Sequence, residues 1–140
     1  MGTLICTVGL PRSGKSSWAR EQGAPIVNPD SIRLAIHGQA FISEAEPFVW
    51  ATAKYMVKAL FLAGHETVIV DATNTTRKRR DDWIGDWSLR FKVFPATVAE
   101  CLERVGTYEP DIQDVMKRVI ARMGEQFEPL EDDEIEVTDA

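Results

Sequence analysis

The chain has 140 residues, and its 22 acidic and 16 basic residues give a formal net charge of −6. This length suits one domain spanning 1–140, and 44% hydrophobic with 27% charged residues excludes a disordered chain, a collagen and a disulfide scaffold. No apolar run approaches the ~20 residues of a membrane span, and residues 1–11 lack the basic start of a signal peptide, so we expect a cytoplasmic protein without membrane contact.

The charge is unevenly distributed along the chain. Residues 125–140, here called the acidic tail, contain eight acids and no base, so the other 124 residues carry 16 bases against 14 acids. That body has a net charge of +2, which leaves a nucleic-acid partner open and predicts modest, salt-sensitive affinity. We expect the acidic tail to lie away from any site, either disordered or as a short edge strand at 134–138.

Strand and helix patterns alternate along the chain. In chain order they predict a strand at 3–8, a helix at 16–22, a strand at 25–28, a helix at 29–37, a helix from 43 to 64, a strand at 67–71, a helix from 77 to about 87, a strand at 89–94, and helices at 97–105 and 112–127. Ser43 with Glu46 three residues later is typical of a capping box. The alternation predicts a three-layer α/β/α sandwich with a central parallel sheet.

The most specific motif is Gly9-Leu10-Pro11-Arg12-Ser13-Gly14-Lys15-Ser16, a G-x-x-x-x-G-K-S sequence that we call the phosphate loop. It follows a buried strand and precedes a helix, where backbone N–H groups and the helix N-terminus can cradle a triphosphate. Lys15 is expected to hold the outer phosphates and Ser16 to ligate Mg²⁺. The predicted nucleotide-binding residues are Gly9, Arg12, Ser13, Gly14, Lys15, Ser16 and Ser17.

A second acidic position follows a buried strand. Asp71 ends the run Val68-Ile69-Val70, at the carboxyl edge of the predicted sheet where ligand sites gather. It is expected to hold a Mg²⁺-bound water or a catalytic side chain, and the alternative is a turn residue at the strand end. Asn74 is a weaker candidate for substrate contact, because asparagine is common in turns.

The phosphate loop alone leaves the reaction open. No N-K-x-D motif for guanine is present, and a phosphotransferase needs a base, an acceptor anchor and a mobile cation. Asp30 and Arg33, three apart on one helix face, could act as base and as ligand of an acceptor phosphate. The alternative is a helix-capping Asp30 in a surface ion pair.

Several basic residues compete for the remaining roles. Arg104 precedes the loop 105–110 and is the first candidate for the mobile cation, with Arg12, Arg118 and Arg122 as competitors. The basic run 77–80, beginning at Arg77, could contact an acceptor backbone or form a solvated first helical turn. Trp83 and Trp87 are expected to pack in the core, and stacking on a nucleic-acid base is the alternative. Cys6 and Cys101 are expected to be buried free thiols.

These motifs together resemble the P-loop polynucleotide 5′-hydroxyl kinases of phage and bacterial nucleic-acid repair. The resemblance covers nearly the whole chain, through 9–16, Asp30-Ser31-Ile32-Arg33, 68–74, Arg104 six residues before Pro110, 115–123 and Phe127-Glu128-Pro129. It implies a P-loop NTPase fold of the nucleotide-kinase type, with ATP or another nucleoside triphosphate and Mg²⁺ as cofactors. A protein of phage origin would lie in the host cytoplasm.

The resemblance also implies roles for individual residues. Asp30 would be the general base, Arg33 would engage the acceptor strand, and Arg104 would stabilise the transferring phosphoryl group. Lys15 and Ser16 would bind phosphates and Mg²⁺, with Asp71 at the metal; the expected substrate contacts are Arg33, Asp71, Asn74 and Arg77. No D-x-D-x-T is present, so no phosphatase domain is expected. The acceptor would be a 5′-hydroxyl oligonucleotide of DNA or RNA. The alternatives are a kinase with a small-molecule acceptor and a module that binds nucleotide without catalysis. The sequence does not determine the oligomeric state.

Overall fold

Four parallel strands form one sheet in the order β2-β3-β1-β4. The computed structural model describes residues 2–106 and 110–137. The strands are β1 (Thr3–Val8), β2 (Ile26–Val27), β3 (Thr67–Val70) and β4 (Ser88–Val93). Their carboxyl ends lie at one edge of the sheet, because all pairings are parallel. The predicted α/β fold with a parallel sheet and flanking helices is therefore confirmed.

Helices connect the strands as the alternating pattern predicted. They are α1 (Lys15–Glu21), α2 (Pro29–His37), α3 (Glu46–Leu62), α4 (Arg77–Asp81), α5 (Val98–Val105) and α6 (Pro110–Gln126). Most bounds lie within a few residues of the sequence prediction, and those of α2 agree with it. Across residues 2–106 and 110–137, no helix combines the length and apolarity needed to cross a bilayer.

Two hydrophobic clusters hold these elements together. The larger one joins the central strands to the inner face of α3, where Val49, Ala53 and Val57 are fully buried. The smaller one packs Leu10 of the phosphate loop against Cys101, Val105 and Ile120 of α5 and α6. Cys6 and Cys101 are buried free thiols, as predicted. Burial of β1 and β3 between helices explains why their sequences are continuous apolar runs.

Two helix predictions need correction. The chain forms a short 3₁₀ turn at Ser43–Ala45, and α3 then begins at Glu46 without a side-chain cap, so the capping-box prediction was wrong. Helix α4 ends at Asp81 rather than near residue 87, because Trp83 turns into the core and donates from Nε1 to Asn74 Oδ1 at 3.1 Å. Trp83 is thus a core residue and not a stacking surface.

The acidic tail folds back onto the sheet over its described part. Phe91 N–H donates to the Ile135 carbonyl at 2.9 Å, and Val137 N–H donates to the Phe91 carbonyl at 2.7 Å. These bonds make a single parallel bridge between Phe91 and Glu136 beside the edge strand β4. Of the two alternatives for this segment, the structure favours edge pairing, reduced to one bridge.

A buried ion pair fastens the acidic tail to α4. Arg80 is 0% exposed and Glu134 is 4% exposed. The Arg80 guanidinium donates to both Glu134 carboxylate oxygens, at 2.7 and 3.2 Å, and to the carbonyls of Asn74 at 3.1 Å and Pro129 at 3.2 Å. A buried charge requires such compensation, so Arg80 links the acidic tail to the loop that follows β3.

We expect Arg80→Met to destabilise the fold strongly, because the buried Glu134 carboxylate loses both hydrogen bonds from Arg80 and keeps a longer ion pair, 3.4 Å to Arg77 Nη1. Loss of one partner from a buried pair costs about 3–5 kcal/mol. Urea unfolding followed by circular dichroism measures this change in the free energy of unfolding. The control is Lys78→Gln, which removes an exposed charge from the same helix and should change stability little. Equal losses in the two variants would contradict the assignment.

Candidate active site

The phosphate loop takes the strand–loop–helix form that its motif predicted. Gly14 precedes α1 with φ of 103°, a left-handed conformation that favours glycine. A Cβ on Gly9 would stand 2.8 Å from Ser13 Oγ and 3.0 Å from Phe94 Cβ, so this position has no room for a side chain. Gly9 N–H donates to the Thr73 carbonyl at 2.9 Å. The loop is thereby fixed to the segment that follows β3.

Lys15 is the first residue of α1 and is buried within the loop. Its Nζ donates to the Leu10 carbonyl at 2.6 Å and to Ser13 Oγ at 3.3 Å. Burial lowers the pKa of Lys15 to about 8, against the opposing effect of the Asp71 carboxylate. Because water is largely excluded from this ammonium group, an anionic ligand at the loop would gain a strong electrostatic partner.

Asp71 joins the phosphate loop to the start of α2. Ser16 Oγ donates to Asp71 Oδ2 at 2.7 Å, and Asn28 Nδ2 donates to the same oxygen at 3.2 Å. The hydroxyl and the carboxylate are hard oxygen donors of the kind Mg²⁺ takes beside substrate phosphates and water. Within the described residues no group of three or more His, Cys, Asp or Glu side chains forms a cage. Ser16 and Asp71 therefore fit a Mg²⁺ ion that a nucleotide would help to hold.

Asn28 also determines how α2 begins. Its Oδ1 accepts the N–H groups of Asp30 at 2.8 Å and Ser31 at 3.4 Å, so the helix cap is Asn28 and not Asp30. The Asp30 carboxylate is 82% exposed and accepts a hydrogen bond from Arg33 Nη1 at 2.7 Å. The three-residue spacing thus places Asp30 and Arg33 together, as expected, with the carboxylate open to the solvent.

Glu46 is a site residue that no sequence motif indicated. Its carboxylate accepts two hydrogen bonds from Arg33, from Nε at 2.9 Å and Nη2 at 2.7 Å, and both side chains are only 15–16% exposed. The hydrogen bond to Glu46 raises the pKa of Arg33, and the same bond lowers the pKa of Glu46. Arg33 is therefore held between two carboxylates, and it orients Asp30.

The arginine predicted as mobile cation is joined to the phosphate loop. Arg104 Nη1 donates to the Arg12 carbonyl at 2.6 Å, and Arg12 Nη2 donates to the Arg104 carbonyl at 3.1 Å. Arg12 has φ of 68°, a left-handed backbone conformation that residues other than glycine adopt rarely. Most of the loop after Arg104, at 107–109, lies outside the described residues.

One cleft of about 1440 Å³ brings most of these groups together. It lies at the carboxyl edge of the sheet, between the phosphate loop, the start of α2, the first turns of α3 and the middle of α6. The predicted site residues that line it are Arg12, Ser13, Gly14, Lys15, Ser16, Ser17, Asp30, Arg33, Asp71 and Arg104, together with Arg118 and Arg122. Trp50, Arg79 and Glu46 line it as well.

Two predicted substrate contacts, Asn74 and Arg77, have structural roles outside the lining of this cleft. Asn74 is buried; its Nδ2 donates to the Thr7 carbonyl at 2.8 Å, and its Oδ1 accepts from Trp83. Arg77 is paired with Asp81 of its own helix and with Glu131 and Asp133 of the acidic tail. Their hydrogen-bonding groups serve the fold, and we do not retain them as acceptor contacts.

We expect Glu46→Gln to lower the free energy of unfolding by about 1.5–3 kcal/mol at neutral pH, because Arg33 loses a charged partner. The pKa of Glu46 is lowered from 4.5 in the folded protein, so its stabilisation is present above that value and is lost as the pH falls through the folded pKa. Urea unfolding of both proteins across acidic pH should show the difference narrowing. A difference that does not change with pH would contradict the ion pair.

Comparisons with known proteins place this site in a family. The AAA_33 family model, an AAA domain, matches residues 4–130. A chain of a solved Pnkp1/Rnl/Hen1 complex is 29% identical with a TM-score of 0.65, over 78% of this chain and 40% of that one. A chain of a Pnkp1/Rnl/Hen1 RNA repair complex is 22% identical with a TM-score of 0.65, over 91% and 46%.

A sugar kinase from Janibacter sp. HTCC2649 is 20% identical with a TM-score of 0.69, over 98% of this chain and 84% of that one. At 22% and 20% identity, the second complex and the sugar kinase show a likeness of fold. This chain spans less than half the length of the two complex chains. The chain belongs to the AAA_33 family of AAA domains and has a kinase-like P-loop fold.

Proposed function

We propose that this chain is a phosphotransferase that uses ATP and Mg²⁺ to phosphorylate the 5′-hydroxyl of DNA or RNA. The observation that carries the proposal is the open carboxylate of Asp30, which lies in the same cleft as the phosphate loop and is oriented by Arg33. A base beside a triphosphate site is what transfer to a hydroxyl requires. A nucleic-acid acceptor is supported by the 29% identity to a chain of a Pnkp1/Rnl/Hen1 complex, because a second structure of a Pnkp1/Rnl/Hen1 complex is described as an RNA repair complex.

The donor side of the cleft is built by the phosphate loop and Asp71. Backbone N–H groups of the loop and the start of α1 bind the triphosphate, and Lys15 exchanges its bond to the Leu10 carbonyl for phosphate oxygens. Ser16 and Asp71 would hold Mg²⁺, which neutralises phosphate charge and aligns the γ-phosphoryl group when bound. These residues orient the donor in the cleft.

The acceptor side provides the proton acceptor. The 5′-oxygen forms a bond to the γ-phosphorus while the bond from that phosphorus to the β–γ bridging oxygen breaks, and ADP leaves. Asp30 takes the hydroxyl proton, and Arg33 keeps the carboxylate in place through its bond to Glu46. Arg12 and Arg104 lie at the loop, where their charge favours the transferring phosphoryl group.

A small-molecule hydroxyl is the second candidate acceptor. It is favoured by the fold likeness to a sugar kinase, which extends over 98% of this chain and 84% of that one. The cleft is larger than the ~300–1,000 Å³ usual for one small ligand, as expected for a donor nucleotide with an acceptor beside it. The third candidate is a module that binds nucleotide without transfer.

We expect γ-labelled ATP to pass its label to a 5′-hydroxyl oligonucleotide rather than to a free nucleoside or to water. Asp30→Asn should reduce this transfer at least ~100-fold, because the hydroxyl loses its proton acceptor, while ATP affinity stays within about twofold. Thin-layer separation of the labelled products and isothermal titration with a non-hydrolysable ATP analogue provide the two measurements.

The matched control for this experiment is Glu44→Gln, an equal charge change on an exposed residue outside the cleft, which should leave transfer unchanged. Label found on the nucleoside would support the small-molecule acceptor, and label that stays on ATP would support a non-catalytic module. Full transfer by Asp30→Asn would remove Asp30 from the role of base.

We also expect nucleotide binding to take up a proton at alkaline pH. Burial lowers the pKa of Lys15 to about 8 in the free protein, and a bound polyanion raises that pKa. Proton uptake on nucleotide binding should therefore increase as the pH rises from below to above this value. Titration calorimetry in buffers of different ionisation enthalpy measures this uptake. Lys15→Arg keeps its charge at every pH in this range, so it should bind nucleotide without taking up a proton. Equal proton uptake by the two proteins would exclude Lys15 as the group that is protonated.

A further inference from the structure

We infer that Arg79, held against the ring of Trp50, binds the first internucleotide phosphate of the acceptor strand. This inference rests on the proposed function and gives that function a determinant of acceptor class. A strand end carries a phosphodiester next to its terminal nucleoside, whereas a free nucleoside or sugar has none. A cation at that point of the cleft would therefore favour a nucleic-acid acceptor over a small molecule.

The first argument is geometric. Arg79 Cζ lies 3.8 Å above the centre of the Trp50 ring, and both side chains line the cleft that contains Asp30. Arg33 Cζ is 5.8 Å from the same ring, so Trp50 contacts both Arg79 and the Asp30–Arg33 pair. Arg79 is thus held on the same wall of the cleft as the proposed base.

The ring that supports Arg79 is itself fixed. Trp50 makes an edge contact with Trp83, with ring centres 6.1 Å apart and planes at 64°. The Trp50 indole also contributes to the lowered pKa of Glu46, after the larger effect of Arg33. A preorganised guanidinium loses little freedom on binding phosphate, which favours a specific contact.

The second argument is charge. In the basic run 77–80, Arg77 and Arg80 have carboxylate oxygens within 2.5–2.8 Å. The ion pair of Arg79 is longer, 3.5 Å to Asp82, and the Arg79 side chain is 35% exposed. Partial burial lowers the pKa of Arg79 because the guanidinium loses hydration. The carboxylates that act on Arg79, Asp82 and the cleft residue Glu46, do not offset this loss of hydration. A phosphate oxygen in the cleft could accept short, charge-assisted hydrogen bonds from the Arg79 guanidinium.

The test is Arg79→Gln in the full chain. We expect KM for a 5′-hydroxyl oligonucleotide to rise about tenfold and its salt slope to fall by about 0.7, while kcat, KM for ATP and any nucleoside phosphorylation stay unchanged. Lys78→Gln is the matched control, because it removes the neighbouring exposed charge outside the cleft lining and should leave these constants unchanged. Thermal unfolding verifies that both variants fold.

A change in the acceptor locates the contact. An oligonucleotide with an uncharged methylphosphonate at the first linkage should raise KM about tenfold for the wild-type protein and little for Arg79→Gln, because the variant has already lost that contact. Trp50→Phe, which keeps a ring beneath the guanidinium, should give an intermediate KM. If the methylphosphonate affects both proteins equally, or if Arg79→Gln lowers nucleoside and oligonucleotide phosphorylation alike, the inference is overturned.

Binding without transfer separates this inference from the proposed function. Fluorescence anisotropy with a labelled 5′-hydroxyl oligonucleotide measures acceptor affinity whether or not the phosphoryl group moves. If Arg79→Gln binds the oligonucleotide more weakly than Lys78→Gln does, the subsite is supported even when no label is transferred. Missing label transfer would defeat the proposed function and leave the subsite standing. Equal affinities of the two variants would overturn the subsite even if transfer is observed.

Discussion

The buried ion pair between Arg80 and Glu134 holds the carboxyl edge of the sheet in place. Arg80 also donates to the Asn74 carbonyl, and the Asn74 side chain bonds the Thr7 carbonyl on β1 and the Trp83 indole in the core. The segment after β3 is therefore fixed from both sides, and it carries both Asp71 and the Thr73 carbonyl that accepts from Gly9. The position of the Asp71 carboxylate depends in this way on a residue of the acidic tail.

This arrangement explains how an acidic chain can present a cationic cleft. The net charge of −6 counts tail carboxylates, three of which pair with Arg77 and Arg80 on α4. Short ion pairs neutralise these charges locally, and screening at ~0.15 M salt weakens the field of the remaining acids beyond about 8 Å. The described part of the acidic tail does not line the cleft, whose cations include Lys15 and Arg79. Local pairing, more than the total charge, determines what this surface attracts.

Local rules in the sequence predicted part of the site and long-range packing supplied the rest. The phosphate loop, Asp71 and the Asp30–Arg33 pair follow from a motif, a strand end and a helical spacing. Glu46 and Glu134 lie 13 and 54 residues from their arginine partners, so no periodicity connects them. The spacing of Ser43 and Glu46 favoured a capping box, because sequence spacing does not distinguish a glutamate that caps a helix from one that pairs with a distant arginine. Asn74 was a candidate substrate contact from its position after the strand, but its left-handed turn directs its side chain into the core.

The two halves of the cleft rest on different parts of the fold. The half that we propose for the donor is fixed by β1, β3 and the bonds of Gly9 and Asp71, which depend on the parallel sheet. The half that we propose for the acceptor is built from side chains on helices, in which Arg33 contacts Asp30, Glu46 and Trp50, and Trp50 contacts Arg79. Helix side chains can change without disturbing the sheet, so one fold can keep the same nucleotide chemistry while its acceptor changes.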